Sequence, residues 1–163
     1  MNQAHVHLLI THLPIFGSIL GALVLTYGLW TKSYQTKIAS YFLFIISAMG
    51  AGIAYLTGEG AEEVVEDIQG VASNMIEAHE EFALIALISL IVLGVFSLFG
   101  LFITLRNSPL ARTVAVIILF VSLISFGLVA RTGYLGGKIR HTEVSSSSAT
   151  GGPSMHHEKD DDD

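Results

Sequence analysis

The sequence predicts an all-α integral-membrane protein: a four-helix transmembrane bundle built from two parallel helix-pair repeats. Three observations lead there. Only 13% of the residues are charged while 52% are apolar, whereas a soluble domain carries about 25% charge. The apolar residues gather into four long runs, at about 8–30, 38–56, 82–105 and 113–131. The two halves of the chain also repeat one order of features: a histidine, an apolar run, a short basic loop, a second apolar run and a Thr-Gly pair.

Each run approaches or exceeds the ~18–20 residues that cross about 30 Å of hydrocarbon at 1.5 Å per residue. A spanning segment has to satisfy its own backbone, so each run is expected to be a helix. The first is too long for the apolar core of a signal peptide and has no Lys or Arg before it, so it is expected to persist as a helix. The fourth is the shortest, and Arg131 can extend it by snorkelling. Residues 1–144 thus form the transmembrane domain. Between the second and third runs, Val64, Ile68, Val71, Met75, His79 and Phe82 recur at helical steps with acids on the other faces. This spacing predicts an amphipathic helix over about 61–78, with a possible break at Gly70. Residues 145–163, SSSSATGGPSMHHEKDDDD, form an acidic low-complexity tail that is expected to be disordered.

Charge sets the orientation. The short loops at 31–37 and 106–112 carry Lys32, Lys37, Arg106 and Arg112 and no acids, which places them in the cytoplasm. Both termini then lie on the periplasmic or extracellular side of a bacterial inner (plasma) membrane. Arg131, Lys138 and Arg140 run against this rule.

The two halves align as His12-Leu-Pro-Ile-Phe16 with His79-Glu-Glu-Phe82 at their entrances. At their exits, Thr57-Gly58 aligns with Thr132-Gly133. The order is not inverted, so the halves are expected to relate by an axis along the membrane normal. The first and third spans would then be diagonal, with His12 and His79 facing each other at the outer end, an arrangement that builds cofactor sites in bundle cores. Ionisable residues at membrane depth are costly and mark functional positions.

The expected occupant is one haem b with His12 and His79 as axial ligands, a low-spin electron-transfer arrangement. Gly17, Gly21, Gly50 and Gly52 would leave space for the macrocycle, and Arg131, Lys138 and Arg140 would face its propionates. The same glycines equally suit close helix packing. Zinc or copper is the alternative, held by His12 and His79 with His5, His141 or an acid such as Glu59 or Glu80. His7 points elsewhere on the helix and is expected to be interfacial. With no cysteine, thiolate sites and covalent c-type haem are excluded. No HExxH, P-loop or GxSxG pattern occurs, which leaves hydrolytic and phosphoryl-transfer chemistry without support. The absence of a basic stripe argues against nucleic acid.

The THLP opening, the HEEF entrance and the Thr-Gly exits resemble a family of bacterial four-span membrane domains catalogued as domain of unknown function twenty-two thirty-one. The resemblance covers about residues 4–141 and implies a membrane module found near redox proteins and cytochromes. The chain also looks like small b-type cytochrome bundles, which usually carry two haems at different depths; here no histidine lies in the inner leaflet. The expected function is a non-catalytic electron-transfer subunit of a respiratory or redox complex, embedded in membrane lipid. Its electron partners would be quinol or a periplasmic cytochrome c. The alternatives are a cofactor-free accessory or assembly subunit and a periplasm-facing metal-binding protein.

Overall fold

The computed structural model describes residues 3–66 and 73–140. Gly70, Ile68 and Val71 of the expected amphipathic helix, His141 and the whole acidic tail lie outside the described residues. Among those described, every regular element is a helix: α1 (Gln3–Ile10), α2 (His12–Trp30), α3 (Tyr34–Leu56), α4 (Glu59–Glu66), α5 (Ser73–Leu105) and α6 (Ala111–Arg140). Four segments are long and apolar enough to cross a membrane: Gln3–Trp30, Tyr34–Leu56, Ser73–Leu105 and Ala111–Ile139. The protein is a transmembrane four-helix bundle.

The first span is interrupted at Thr11, and Pro14 explains the place. Proline has no N–H to offer the carbonyl four residues back, and its ring presses on that carbonyl. Thr11 keeps right-handed helical dihedrals (φ −61°, ψ −24°), and its N–H still reaches the His7 carbonyl at 3.0 Å. The chain therefore continues from α1 into α2 with a local break.

At the far end, both short loops turn through a left-handed residue, Lys32 (φ 56°) and Asn107 (φ 51°). The second turn is a Schellman motif. Ser108 N–H bonds the Ile103 carbonyl at 3.1 Å and Asn107 N–H bonds the Thr104 carbonyl at 3.0 Å, satisfying carbonyls that the end of α5 leaves over. The Ser33 hydroxyl caps α3 by accepting from Thr36 N–H at 3.3 Å.

Helix α2 packs on α3 and α6, and α5 packs on the same two, so α2 and α5 stand on a diagonal as expected. The core is apolar: Leu25, Tyr41, Phe44, Leu90, Leu93, Ala115 and Ile118 are sealed from solvent. Large apolar side chains such as Leu23, Phe42, Met49, Val95, Phe120 and Ile124 cover the outside. That pattern suits lipid, which gives no hydrophobic incentive to bury them; such helices associate through close packing at small residues.

Two helices differ from their expected extents. Helix α5 begins at Ser73, before the apolar run, because Ile76 continues its buried face outward. At 33 residues it is about 50 Å long, well beyond the hydrocarbon thickness. Helix α6 continues through Thr132-Gly133 to Arg140, where Ile139 is buried. Thr57-Gly58 does end α3, but Thr132-Gly133 lies inside a helix.

The repeat is visible in the packing. The spacing from His7 to Pro14, Ser18, Gly21, Ala22, Leu25 and Gly28 is reproduced from His79 to Ala86, Leu90, Leu93, Gly94, Ser97 and Gly100. All twelve of the positions after the histidines are buried. Likewise Ser40, Ser47 and Ala54 of α3 match Ala115, Ser122 and Val129 of α6.

The glycines divide into packed and open positions. A methyl group on Gly21 would lie 2.5 Å from Phe44 Cε1, and Phe44 is sealed in the core, whereas one on Gly52 would meet nothing within 4 Å. Gly21→Ala is therefore expected to cost about 1–3 kcal/mol of stability through overpacking. Gly52→Ala should be neutral or slightly stabilising. Thermal unfolding of the two variants in detergent micelles measures the difference.

Candidate functional site

Two histidines meet the carbonyls of neighbouring helices at the end of the bundle opposite the basic loops. His7, one turn before the break at Thr11, places Nδ1 2.8 Å from the Ala54 carbonyl, with the Thr57 hydroxyl at 3.4 Å. A carbonyl only accepts, so His7 Nδ1 carries the proton. Ala54 belongs to the last turn of α3, whose carbonyls lack the next turn's N–H groups. Its neighbours are served by backbone: Thr57 N–H reaches Ile53 and Gly58 N–H reaches Tyr55. The Ala54 carbonyl is served by the His7 ring and by the Thr57 hydroxyl at 3.1 Å.

His79 repeats the arrangement on the other helix pair. Its Nδ1 donates to the Thr132 carbonyl of α6 at 3.1 Å. Gly136, one turn further along α6, lets the ring lie against the helix; a Cβ there would stand 3.1 Å from His79 Cε1. Gly58 plays a looser version of this part, with its Cβ position 3.7 Å from His7 Cε1. Both imidazoles are fixed in the Nδ1–H tautomer, which leaves the lone pair on Nε2.

Comparisons with family models, with curated proteins and with solved structures found no match.

The partner of His79 in the repeat is therefore His7, and His12 occupies a different place. His12 is exposed on the outside of α2. Its Nδ1 donates to the Leu8 carbonyl at 2.9 Å, and its ring stacks on Phe16 at 6.3 Å with 12° between the planes. Phe16 is itself 57% exposed, so this stack faces away from the core. In the repeat register, the position corresponding to His12 is held by the exposed Leu84. His5 is also exposed.

The small residues expected to leave room are mostly filled. The Cβ positions of Gly17, Gly21 and Gly50 run into Ser47, Phe44 and Leu13 respectively, so these glycines are where α2 and α3 touch. Gly52 alone of the four faces open space. The Arg131 guanidinium lies over the rings of Phe82 at 5.5 Å and Tyr134 at 5.8 Å, and the Lys138 ammonium lies over Tyr134 at 4.8 Å. These cations rest on aromatic faces at the interface. Arg140 is the last residue of α6. Among the described residues, no group of three or more histidines and acids is placed to hold a metal ion. The His5, His12 and His79 set, with Glu59 or Glu80, is thus not assembled there.

A sequence signal for His7 existed. Aligning Gly28 with Gly100, each near the end of its span and just before a basic loop, pairs His7 with His79 without any structure.

His7→Ala and His79→Ala each remove one cross-helix hydrogen bond and should each cost about 1 kcal/mol. His12→Ala removes only an exposed bond within its own helix and should leave stability nearly unchanged. Denaturant or thermal unfolding in micelles separates the three.

Proposed function

We propose that the protein is a membrane electron-transfer subunit that carries one haem b between His7 and His79. The observation carrying this reading is the pair itself: two repeat-related imidazoles from diagonal helices, each with Nδ1–H committed to a backbone carbonyl. Histidines that bind metals characteristically donate their other ring nitrogen in this way, which fixes the ring and raises the basicity of the ligating nitrogen. Gly58 and Gly136 let the two rings lie close against the helices that hold them. Bis-histidine ligation supplies reversible one-electron transfer without an open coordination position. His7 and His79 would hold the iron, and Ala54 and Thr132 would hold the rings. Arg131 and Lys138 lie on the α6 segment flanking Thr132 and Gly136 and would attract the propionate carboxylates.

The basic loops at the opposite end support a periplasmic position for this end of the bundle in a bacterial inner membrane. Its electron partners there would be quinol or a periplasmic cytochrome c, within a larger redox complex. A second reading, a cofactor-free accessory or assembly subunit, is favoured by the filled positions at Gly17, Gly21 and Gly50. In that case the two histidines act only as latches between helices.

Absorption spectra of the purified chain, oxidised and dithionite-reduced, distinguish the two. The haem reading expects a Soret band and a reduced α-band that are lost in both His7→Ala and His79→Ala and kept in His12→Ala. A folded, colourless protein after expression with haem supplied would overturn it in favour of the accessory reading. Loss of the bands in His12→Ala but not in His7→Ala would return the ligand role to His12.

A further inference from the structure

The half of the bundle nearest the basic loops holds a second polar feature, independent of the histidines. Tyr41 of α3 and Ser97 and Thr104 of α5 are sealed from solvent, with 0%, 0% and 2% exposure. Each hydroxyl lacks a hydrogen-bond partner among the described residues. Ser97, Gly100 and Thr104 recur at helical spacing on one face of α5. The Tyr41 ring crosses this face at Gly100, 3.2 Å from the Cβ position there. Thr104 lies one turn further along that face, and its hydroxyl and the Tyr41 hydroxyl close no hydrogen bond with each other.

Two comparisons within the molecule mark the cluster as unusual. Every other buried serine finds a carbonyl: Ser18, Ser40 and Ser122, like the half-buried Ser89, bond one of their own helix, and Ser47 and Ser125 bond one of a neighbouring helix. Ser97 and Thr104 do not. The repeat also shows that helix packing does not require these groups. The position corresponding to Ser97 is Leu25, which is sealed in the core and carries no hydroxyl. Three unpartnered hydroxyls in an apolar core are costly, and a polar contact that fails to close between two such groups points to a bridging molecule.

We propose that Tyr41, Ser97 and Thr104 form a buried water-binding site that joins α3 of the first repeat to α5 of the second. The bridging water accepts from and donates to the Tyr41 and Thr104 hydroxyls, and Ser97, two turns from Thr104 on the same face, completes the polar lining. Neutral hydroxyls and no charge suit water rather than an ion, and Tyr41 and Thr104 supply the two partners that a buried water needs at the least.

The test uses the full chain in lipid nanodiscs, with the nearly isosteric variants Tyr41→Phe, Thr104→Val and the double variant. If water bridges the pair, each single change lowers the unfolding temperature by about 3 °C. The double change should then lower it no further than the larger single one, because one shared bridge is lost once. Proton-detected solid-state NMR should show magnetisation passing from water to the Tyr41 and Thr104 side chains, and this transfer should vanish in Tyr41→Phe. An unchanged or raised unfolding temperature in Tyr41→Phe would overturn the site, since removing a truly unpartnered hydroxyl relieves a burden. Non-additive losses without any water transfer would overturn it equally, in favour of direct contact between the two hydroxyls.

Discussion

Near the end of a membrane helix, a backbone carbonyl has few partners to turn to. The last turn of α3 presents such carbonyls, and the His7 ring supplies the N–H that Ala54 requires. This one bond ties the start of the chain to the end of the second span. Its counterpart from His79 to Thr132 ties the third span to the fourth. The two bonds close each helix pair at the end opposite its tight basic turn. Each hairpin is thus held at both ends, by a left-handed turn at one and an imidazole at the other.

The interior between those ends follows from the solvent. With lipid outside, burying large apolar groups brings little gain, and the helices are held by surface fit at small residues. The backbone of α2 approaches α3 at Gly17, Gly21 and Gly28, and α5 approaches α3 at Gly94, whose Cβ position is 2.8 Å from Ala48 Cβ. Serines contribute by bonding across helices, as Ser47 does to the Pro14 carbonyl at 3.0 Å and Ser125 to the Ser89 carbonyl at 3.2 Å. The two hairpins reuse the same buried register and then diverge at Tyr41, Ser97 and Thr104.

Much of the fold was legible in the sequence because membrane spans are set by length and hydropathy alone. The diagonal placement of the first and third spans followed from the parallel repeat. Helix ends were less legible. Thr132-Gly133 read as an exit but sits inside α6, because glycine is tolerated within a membrane helix where another group packs against it, here Ile15 at Gly133. The outer part of α5 was legible in the helical spacing of Met75, His79 and Phe82, but its continuity with the span was not, because the acids Glu77, Glu80 and Glu81 interrupt the apolar run. At the candidate site, His79 was identified and its mate was not. His7 and His12 are five residues apart, about 140° around an ideal helix, so only one of them can face the core.

The sequence by itself determined four membrane spans, two basic turns and a repeated histidine-bearing half, since hydropathy and charge act locally along the chain. It did not determine which histidine turns inward, nor whether small residues make space or contact. Those were decided by the tertiary structure, through the rotation of each helix against its neighbours. That rotation turned His12 toward the lipid beside Phe16 and pressed Gly21 onto Phe44. It also brought His7 to the Ala54 carbonyl of the α3 terminus, which none of the backbone N–H groups in the turns that close that end serves.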